Sequence, residues 1–191
     1  MYKKVLMKFT KQVHQPIIDQ CKKSNAKAQM HLYNLYGKAM FLVAFRFVKD
    51  RFLAEDVMQD AFIKAFRNID SYKNEVAFGA WLKKIVINQS IDHLKKNKLE
   101  LVSIHEGLNL KDDPENWHVE NDISVDTIVK EINSLKEKYR LVLTLYLLEG
   151  YDHQEIAEIL KITENTSRTH LLRGKRVLQE QLKKKNYAAR Y

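Results

Sequence analysis

The stretch YDHQEIAEILKITENTSRTHLLRGKRVLQEQL, residues 151–182, decides the fold of the C-terminal part of the chain. Asp152 can cap a short helix over residues 153–160, and Glu155 three positions later completes a capping-box pair. A tight turn follows, after which Thr163 can cap a last, longer helix. A short helix, a tight turn and a second helix together predict a helix-turn-helix.

The longer helix, expected to end near residue 183, has two different faces. One face would pack inward and carries Ser167, Leu171, Gly174 and Leu178. The other face carries Arg168, Thr169, Leu172, Arg173 and Arg176. Arginine pairs with guanine edges or phosphates, and Leu and Thr contact thymine methyl groups, so the second face suits a DNA major groove. The alternative is that the arginines only complement the negative dipole of a helix end. Ala157 of the short helix is expected where the two helices leave little room between them.

Helical periodicity extends over most of the chain, with one interruption. Apolar residues recur at three- and four-residue steps over residues 17–97 and again over 127–185. Residues 99–126 are strongly acidic and contain Gly107 and Pro114, a composition typical of a linker. We therefore expect an all-α chain of two small helical domains joined by a flexible acidic linker. The expected boundaries are 1–23 for a basic N-terminal extension, 24–98 for the first domain, 99–126 for the linker, 127–185 for the second domain and 186–191 for a tail.

The predicted helix over residues 53–68 carries an acidic stripe. Its members, at i, i+3, i+4 and i+7, are Asp56, Gln59, Asp60 and Ile63. In a chain with a net charge of +9, a stripe of this kind does not serve DNA binding. It fits a basic helical surface of a partner protein, with Ile63 as the apolar anchor. The alternative is an ordinary solvated helix face.

A polar loop at residues 70–76 and a helix at residues 77–96 combine aromatic and basic groups. This combination can take up unstacked bases, because stacking on an aromatic ring contributes about 1–3 kcal/mol per base. We expect Tyr72 in the loop to contact a base, whereas Phe78 and Trp81 are expected to pack in the core. The polar face of the helix carries Lys83, Lys84, Asn88, Lys95 and Lys96.

The composition favours a nucleic-acid partner and argues against the common enzyme classes. The 191 residues are 45% hydrophobic, which is enough for a packed core, and the pI is near 9.4, which favours a polyanionic partner. Cys21 is the one cysteine, so we expect no disulfide and a buried, unreactive thiol. The five glycines are isolated and HQEIA lacks the second histidine of a zinc helix, so no catalytic residue, cofactor or metal is expected. Apolar runs are short and residues 1–15 lack the pattern of a signal peptide, so we expect a cytoplasmic protein without membrane insertion.

Two stretches of the chain resemble the extracytoplasmic-function group of bacterial sigma factors. The stretch AEDVMQDAFIKAFRNIDSYKNEVAFGAWLKKIVINQSIDHLKK, residues 54–96, looks like their second conserved region. Residues 135–182, from LKEKYRLVLTLYLLEG through the helix-turn-helix, look like their fourth, and the likeness covers about residues 26–185. The resemblance implies an all-helical promoter-specificity subunit that is not itself an enzyme. The implied partners are core RNA polymerase, through its clamp coiled coil and flap, promoter DNA, and an anti-sigma factor.

The resemblance also implies roles for individual residues. The family's surface for the clamp coiled coil is matched by Asp56, Gln59 and Asp60, with Ile63 beside them. The loop that captures a flipped base of the −10 element is matched by residues 71–76, which include Ser71, Tyr72, Lys73 and Asn74. Asn88 matches a helix position that lines the pocket for the flipped base, and Lys84 matches a position near a phosphate of the DNA backbone. The positions that read the −35 element are matched by Arg168, Thr169, Leu172 and Arg173, with Arg176 on the same stripe. Asn74 stands where the family loop often has Gly, so a different loop path is expected here.

A different interpretation is a helix-turn-helix repressor or activator whose first domain dimerises or senses a ligand. It predicts tight duplex binding without polymerase, at an inverted-repeat site set by a two-fold axis. The sequence offers no obvious dimerisation helix, and this interpretation leaves the acidic stripe unexplained.

Overall fold

The computed structural model describes residues 14–96 and 123–188, and the regular structure in both ranges is helical, which confirms the expected all-α fold. The chain divides into two compact units, and the boundary in the sequence falls between residues 101 and 102. The first unit contains α1 (Gln15–Lys22), α2 (Ala26–Val48), α3 (Arg51–Arg67) and α4 (Phe78–Lys96). The second unit contains α5 (Val125–Ser134), α6 (Glu137–Leu143), α7 (His153–Leu160) and α8 (Glu164–Ala188).

In the first unit, α2, α3 and α4 pack against one another around an apolar core. Side chains fix where two of these helices begin. Asn25 Oδ1 accepts a hydrogen bond from Ala28 N at 3.1 Å, and Asp50 Oδ1 accepts one from Leu53 N at 2.8 Å. The buried side of α3 consists of Ala54, Val57, Met58, Ala61, Phe62 and Ala65. Because these residues recur every three or four positions, the opposite side of α3 faces outward.

The helix α1 belongs to the first unit, which corrects the expectation that residues 1–23 lie outside it. Residues 15–22 form α1 and pack on α2. Ile18 is fully buried and Cys21 is 1% exposed, and burial raises the pKa of the Cys21 thiol, as expected for an unreactive cysteine. The apolar pattern from residue 17 onward includes most of α1, but the pattern alone does not show which helix α1 packs against.

The helix-turn-helix forms in the second unit as predicted. Asp152 Oδ1 accepts from Glu155 N at 2.9 Å, and Glu155 Oε2 accepts from Asp152 N at 3.0 Å, which completes the capping box of α7. Thr163 Oγ1 accepts from Thr166 N at 3.1 Å where α8 begins. The helix α8 continues to Ala188, past the expected end near residue 183 and into the expected tail. The four α8 residues expected to pack inward, Ser167, Leu171, Gly174 and Leu178, are all buried.

A close approach at α8 involves α6, at Gly174, and not Ala157 of α7. A Cβ atom added to Gly174 would lie 2.5 Å from Leu143 Cδ1 and 3.1 Å from Tyr139 Cβ. Ala157, expected at the close crossing, is partly exposed. Gly174 therefore lets α8 lie against α6 at a distance that no side chain would permit.

The expected linker at residues 99–126 lies mostly outside the described residues. Ser124 Oγ accepts from Thr127 N at 3.2 Å, so α5 begins at Val125, two residues before the expected domain boundary. Within residues 14–96 and 123–188, no helix is long and apolar enough to cross a membrane.

Candidate nucleic-acid interface

The acidic stripe predicted on α3 is exposed. Asp56, Gln59 and Asp60 all face solvent, and the side chain of Ile63 is 49% exposed. Phe52, which was not predicted from the sequence, lies one turn before Asp56 on the same side and is 79% exposed. Its spacing of four residues from Asp56 indicates that it lies on the same side of the helix as the acidic stripe. These five residues, called the α3 surface below, place a large apolar side chain at each end of a row of acidic and amide groups.

Tyr72 is buried, which corrects the expectation that its ring contacts a base. The side chain is 2% exposed, and the ring centroid lies 5.4 Å from those of Phe78 and of Trp81. The Tyr72 hydroxyl donates a hydrogen bond to Val76 O at 2.8 Å. A ring this enclosed offers no face to a base, so Tyr72 instead closes the loop on itself. Phe78 packs in the core as predicted, and Trp81 joins the same cluster while staying partly exposed.

The tip of the loop is formed by Lys73, Asn74 and Glu75, which are all exposed. Asn74 has a φ of +59°, in the left-handed region that Gly enters freely and Asn enters more readily than most residues. Asn74 thus adopts a backbone conformation that Gly also enters freely, so Asn in place of Gly introduces no clash of its own. The different loop path stays a prediction. Ser71 lies just before the tip, where its Oγ donates to Asn68 O at 2.7 Å.

Two further predicted residues lie on α4 next to the loop. Lys84 is exposed and Asn88 is partly buried, and their spacing of one turn places them on the same side of the helix. Lys64 Nζ donates to Gln89 Oε1 at 3.1 Å, which ties α3 to α4. The packing of α3 against α4 sets the orientation of the side of α4 that carries Lys84 and Asn88.

The predicted recognition stripe lies on the side of α8 opposite its buried residues. Arg168 and Arg176 are exposed, while Thr169, Leu172 and Arg173 are partly exposed. Arg168 forms an exposed ion pair with Glu164, with 3.5 Å between Nη2 and Oε2, and a pair of this kind contributes little to stability. Thr169 Oγ1 donates to Asn165 O at 2.9 Å, so the methyl group of Thr169 is the part that remains for outside contacts.

A polar contact that sequence analysis missed joins α7 to α8. Ser167 is fully buried, and its Oγ lies 2.9 Å from His153 Nδ1. The His153 ring also stacks on Tyr146 with 5.0 Å between centroids. Burial, and next the charge of Arg168, lower the pKa of His153. Across the described ranges, no group of three or more His, Cys, Asp or Glu side chains could hold a metal ion.

Two family models match the chain. Sigma-70 region 2 matches residues 32–100, which contain the α3 surface, the loop and α4. Sigma-70 region 4 matches residues 126–178, which contain the helix-turn-helix. Both candidate interfaces therefore lie within matched segments.

Relatives and solved structures agree with these matches. The ECF RNA polymerase sigma factor SigW of Bacillus subtilis is 33% identical over 178 residues, which cover 87% of this chain and 95% of SigW. The ECF RNA polymerase sigma-E factor of Escherichia coli K12 is 27% identical, over 88% of this chain and 93% of its own. The sigma factor RpoE from Bartonella quintana, solved with the anti-sigma factor NepR, matches with a TM-score of 0.54 and 23% identity, over 81% of this chain and 96% of that chain. CnrH, solved with the cytosolic domain of CnrY, matches with a TM-score of 0.51 and 21% identity, over 87% and 95%.

The two solved structures show the fold, and the match to SigW over nearly its whole length shows the family. The chain carries both conserved regions of that family in the order predicted from the sequence. It belongs to the extracytoplasmic-function group of the sigma-70 family, and is therefore an RNA polymerase sigma factor that directs promoter recognition and transcription initiation and is not an enzyme.

Proposed function

We propose that this sigma factor divides its work among three surfaces. The α3 surface binds the clamp coiled coil of core polymerase, the loop at residues 71–76 with α4 holds the melted −10 strand, and α8 reads the −35 duplex. The observation that carries the proposal is an acidic surface with apolar ends, on a protein whose net charge is +9. Such a surface repels DNA and is complementary to a basic helix of a protein partner.

The α3 surface is built for a protein partner. Phe52 and Ile63 are 79% and 49% exposed, and a large apolar side chain gains about 1.5–3 kcal/mol when it is removed from water. Asp56 and Asp60 lie between these two anchors, where they can pair with Lys or Arg of the partner. A few large side chains that become fully desolvated usually dominate the binding energy of an interface, and Phe52 and Ile63 are the candidates on this surface.

The −10 strand is proposed to bind at the loop tip and along α4. The exposed amide of Asn74 can donate and accept hydrogen bonds, as recognition of a Watson–Crick edge requires. Lys73 and Lys84 are exposed cations that can contact phosphates, and Asn88 adds an amide on the same side of α4 as Lys84. Because Tyr72 is buried, it does not stack on a base. It supports the loop from the core side through its hydrogen bond to Val76 O.

The −35 duplex is proposed to bind along α8. Arg168, Arg173 and Arg176 can pair with guanine edges or with phosphates. Leu172 and the methyl group of Thr169 fit thymine methyl groups, since the Thr169 hydroxyl already donates within the helix. The second unit is also proposed to contact the polymerase flap.

An anti-sigma factor is proposed as a further partner. RpoE of Bartonella quintana and CnrH were solved with NepR and with the cytosolic domain of CnrY, respectively. A protein that covered the α3 surface of this chain would compete directly with core polymerase. Binding to core polymerase also places this protein in the cytoplasm.

Run-off transcription tests the proposal. Purified core polymerase is supplied with fragmented DNA of the source organism, with and without the chain, and transcript starts are mapped. We expect discrete starts that depend on the chain, shared −35 and −10 sequences upstream of them, and permanganate-reactive thymines at the −10 element. Tight binding to duplex DNA without polymerase, together with the absence of new starts, would overturn the division of work.

A further inference from the structure

We infer that Lys22 and α1 position the −10 loop for strand capture. The inference rests on the proposed function of the loop. The helix α1 lies before residue 32, where the match to Sigma-70 region 2 begins, so the family match gives it no role. The helix α1 contacts the start of the loop directly.

Lys22, the last residue of α1, reaches the loop across fifty positions of sequence. Its Nζ donates a hydrogen bond to Tyr72 O at 3.3 Å, and the contact is partly buried. The helix α1 also packs against the 3₁₀ turn Ile69–Ser71 that leads into the loop. An ammonium donor makes a stronger hydrogen bond than a neutral donor at the same distance, so this contact restrains the Tyr72 carbonyl.

Tyr72 connects the contact with Lys22 to the far end of the loop through two hydrogen bonds. Its carbonyl accepts from Lys22 at 3.3 Å, while its hydroxyl donates to Val76 O at 2.8 Å. The loop is thus held at both ends, and the residues between them, Lys73, Asn74 and Glu75, stay exposed. A loop fixed in advance loses less conformational entropy when it captures a base, which favours binding of the strand.

The helix α1 is itself held firmly enough to act as a brace. Ile18 and Cys21 are buried in the first unit, with 0% and 1% exposure. Asn25 N donates to Gln20 O at 3.2 Å, which closes the short turn between α1 and α2. At the other end, the ring of His14 packs edge-on against Tyr36 with 5.7 Å between centroids. Lys22 therefore extends from a fixed helix, and its position is set by the core.

Three variants of the full chain separate positioning from charge. Lys22→Met keeps most of the side-chain length and removes the donor, whereas Lys22→Arg keeps a cationic donor. Lys23→Met is the matched control, because Lys23 is the neighbouring lysine and is exposed. In amide hydrogen exchange, we expect Lys22→Met to speed exchange across residues 70–78 by about fivefold, and the other two variants to exchange like the original chain.

A second measurement connects the loop to strand capture. The probe is a single-stranded oligonucleotide that carries the non-template −10 sequence of a promoter mapped as above, bound to holoenzyme. We expect Lys22→Met to weaken its binding by about fivefold, Lys22→Arg to restore it, and the affinity for core polymerase to stay unchanged. The variant Lys73→Ala with Asn74→Ala is measured alongside and should weaken strand binding at least as much.

Each outcome bears on one of the two claims. Unchanged exchange in Lys22→Met, or equal losses in Lys22→Met and Lys23→Met, would overturn the inference about Lys22. Unchanged strand binding in the Lys73→Ala with Asn74→Ala variant would overturn the proposed function of the loop. In that second case, the exchange rates would still decide whether Lys22 holds the loop.

Discussion

At Asn74, the backbone φ of +59° decides which side chains the loop accepts. Glycine enters the left-handed region without steric cost, whereas a β-branched residue there clashes with its own backbone. We expect Asn74→Gly to keep the loop closed and Asn74→Val to destabilise the closed loop by about 1–2 kcal/mol. Amide exchange across the loop in the full chain measures this difference.

The neighbouring residue supplies the control for this prediction. Lys73 is exposed like Asn74 and is not among the residues with a positive φ. Lys73→Val therefore introduces the same side chain without the backbone clash. If Lys73→Val loosened the loop as much as Asn74→Val does, the argument from the left-handed backbone would be wrong.

Tyr72 marks the limit of sequence reasoning for single residues. Its position in a polar loop, next to an aromatic-rich helix, fits both a base contact and a core ring. What separates the two roles is the hydrogen bond to Val76 O and the contact with Phe78 and Trp81, and neither follows from residue spacing. The acidic stripe was easier to predict, because Asp56 to Ile63 lie on one helix whose buried side is set by local periodicity.

Among the secondary-structure elements, the contact between α6 and α8 depends on a single glycine. A Cβ atom at Gly174 would meet Leu143 at 2.5 Å and Tyr139 at 3.1 Å, and Leu143 is fully buried and has little room to move. Gly174→Ala gains helix propensity, about 1 kcal/mol, but overpacking at such a site costs about 1–3 kcal/mol. We expect a net loss of stability in the second unit, measured by amide exchange of α6 and α8.

The same substitution in α2 should have the opposite sign. A Cβ atom at Gly37 would lie 3.9 Å from Tyr33 Cε1, which is an ordinary contact distance. Gly37→Ala should therefore stabilise the first unit by about 0.5–1 kcal/mol, since alanine favours the helix more than glycine does. A stabilising Gly174→Ala would show that the packing of α6 and α8 relaxes, against the prediction.

The elements found from sequence are those with strong local signals. The helices α7 and α8 were predicted from caps at Asp152 and Thr163 and from a long apolar periodicity, and both caps form. Most of α1 lies in the stretch predicted to be helical, but its place in the first unit was not predicted, because its buried side chains, Ile18 and Cys21, pack against a helix further along the chain. Short elements held by distant partners carry little local signal.

For the whole molecule, the distribution of charge separates the binding tasks. The net charge of +9 attracts DNA, whereas the acidic α3 surface favours a basic protein partner over DNA. The polymerase contact and the −35 contact are proposed on different compact units. Defects in the two functions should therefore be separable by mutation.

Reversing a charge on the α3 surface tests the polymerase contact. Asp60→Arg should weaken binding to core polymerase by at least about 2 kcal/mol, because a basic partner would then face a like charge. Asp92→Arg is the matched control, an equal charge change at an exposed position on α4. Binding is measured with core polymerase in the absence of DNA. Equal losses in the two variants would point to net charge alone and contradict the assignment.

Shortening an arginine on α8 tests the −35 contact, and the double variant tests the separation of the two units. Arg173→Ala should cost about 1–3 kcal/mol at promoters whose −35 element supplies the paired base, and much less at promoters altered at that base, because a bidentate contact carries the discrimination. Its affinity for core polymerase should stay unchanged. The matched control is Lys183→Ala, at an exposed basic residue near the end of α8, which should alter neither quantity.

The double variant tests whether the two units act independently. When Arg173→Ala is combined with Asp60→Arg, the losses in transcription from a mapped promoter should add, since residues without shared partners act independently. A double variant no weaker than Asp60→Arg alone would mean that one surface depends on the other, and the two units would then not divide the work as proposed.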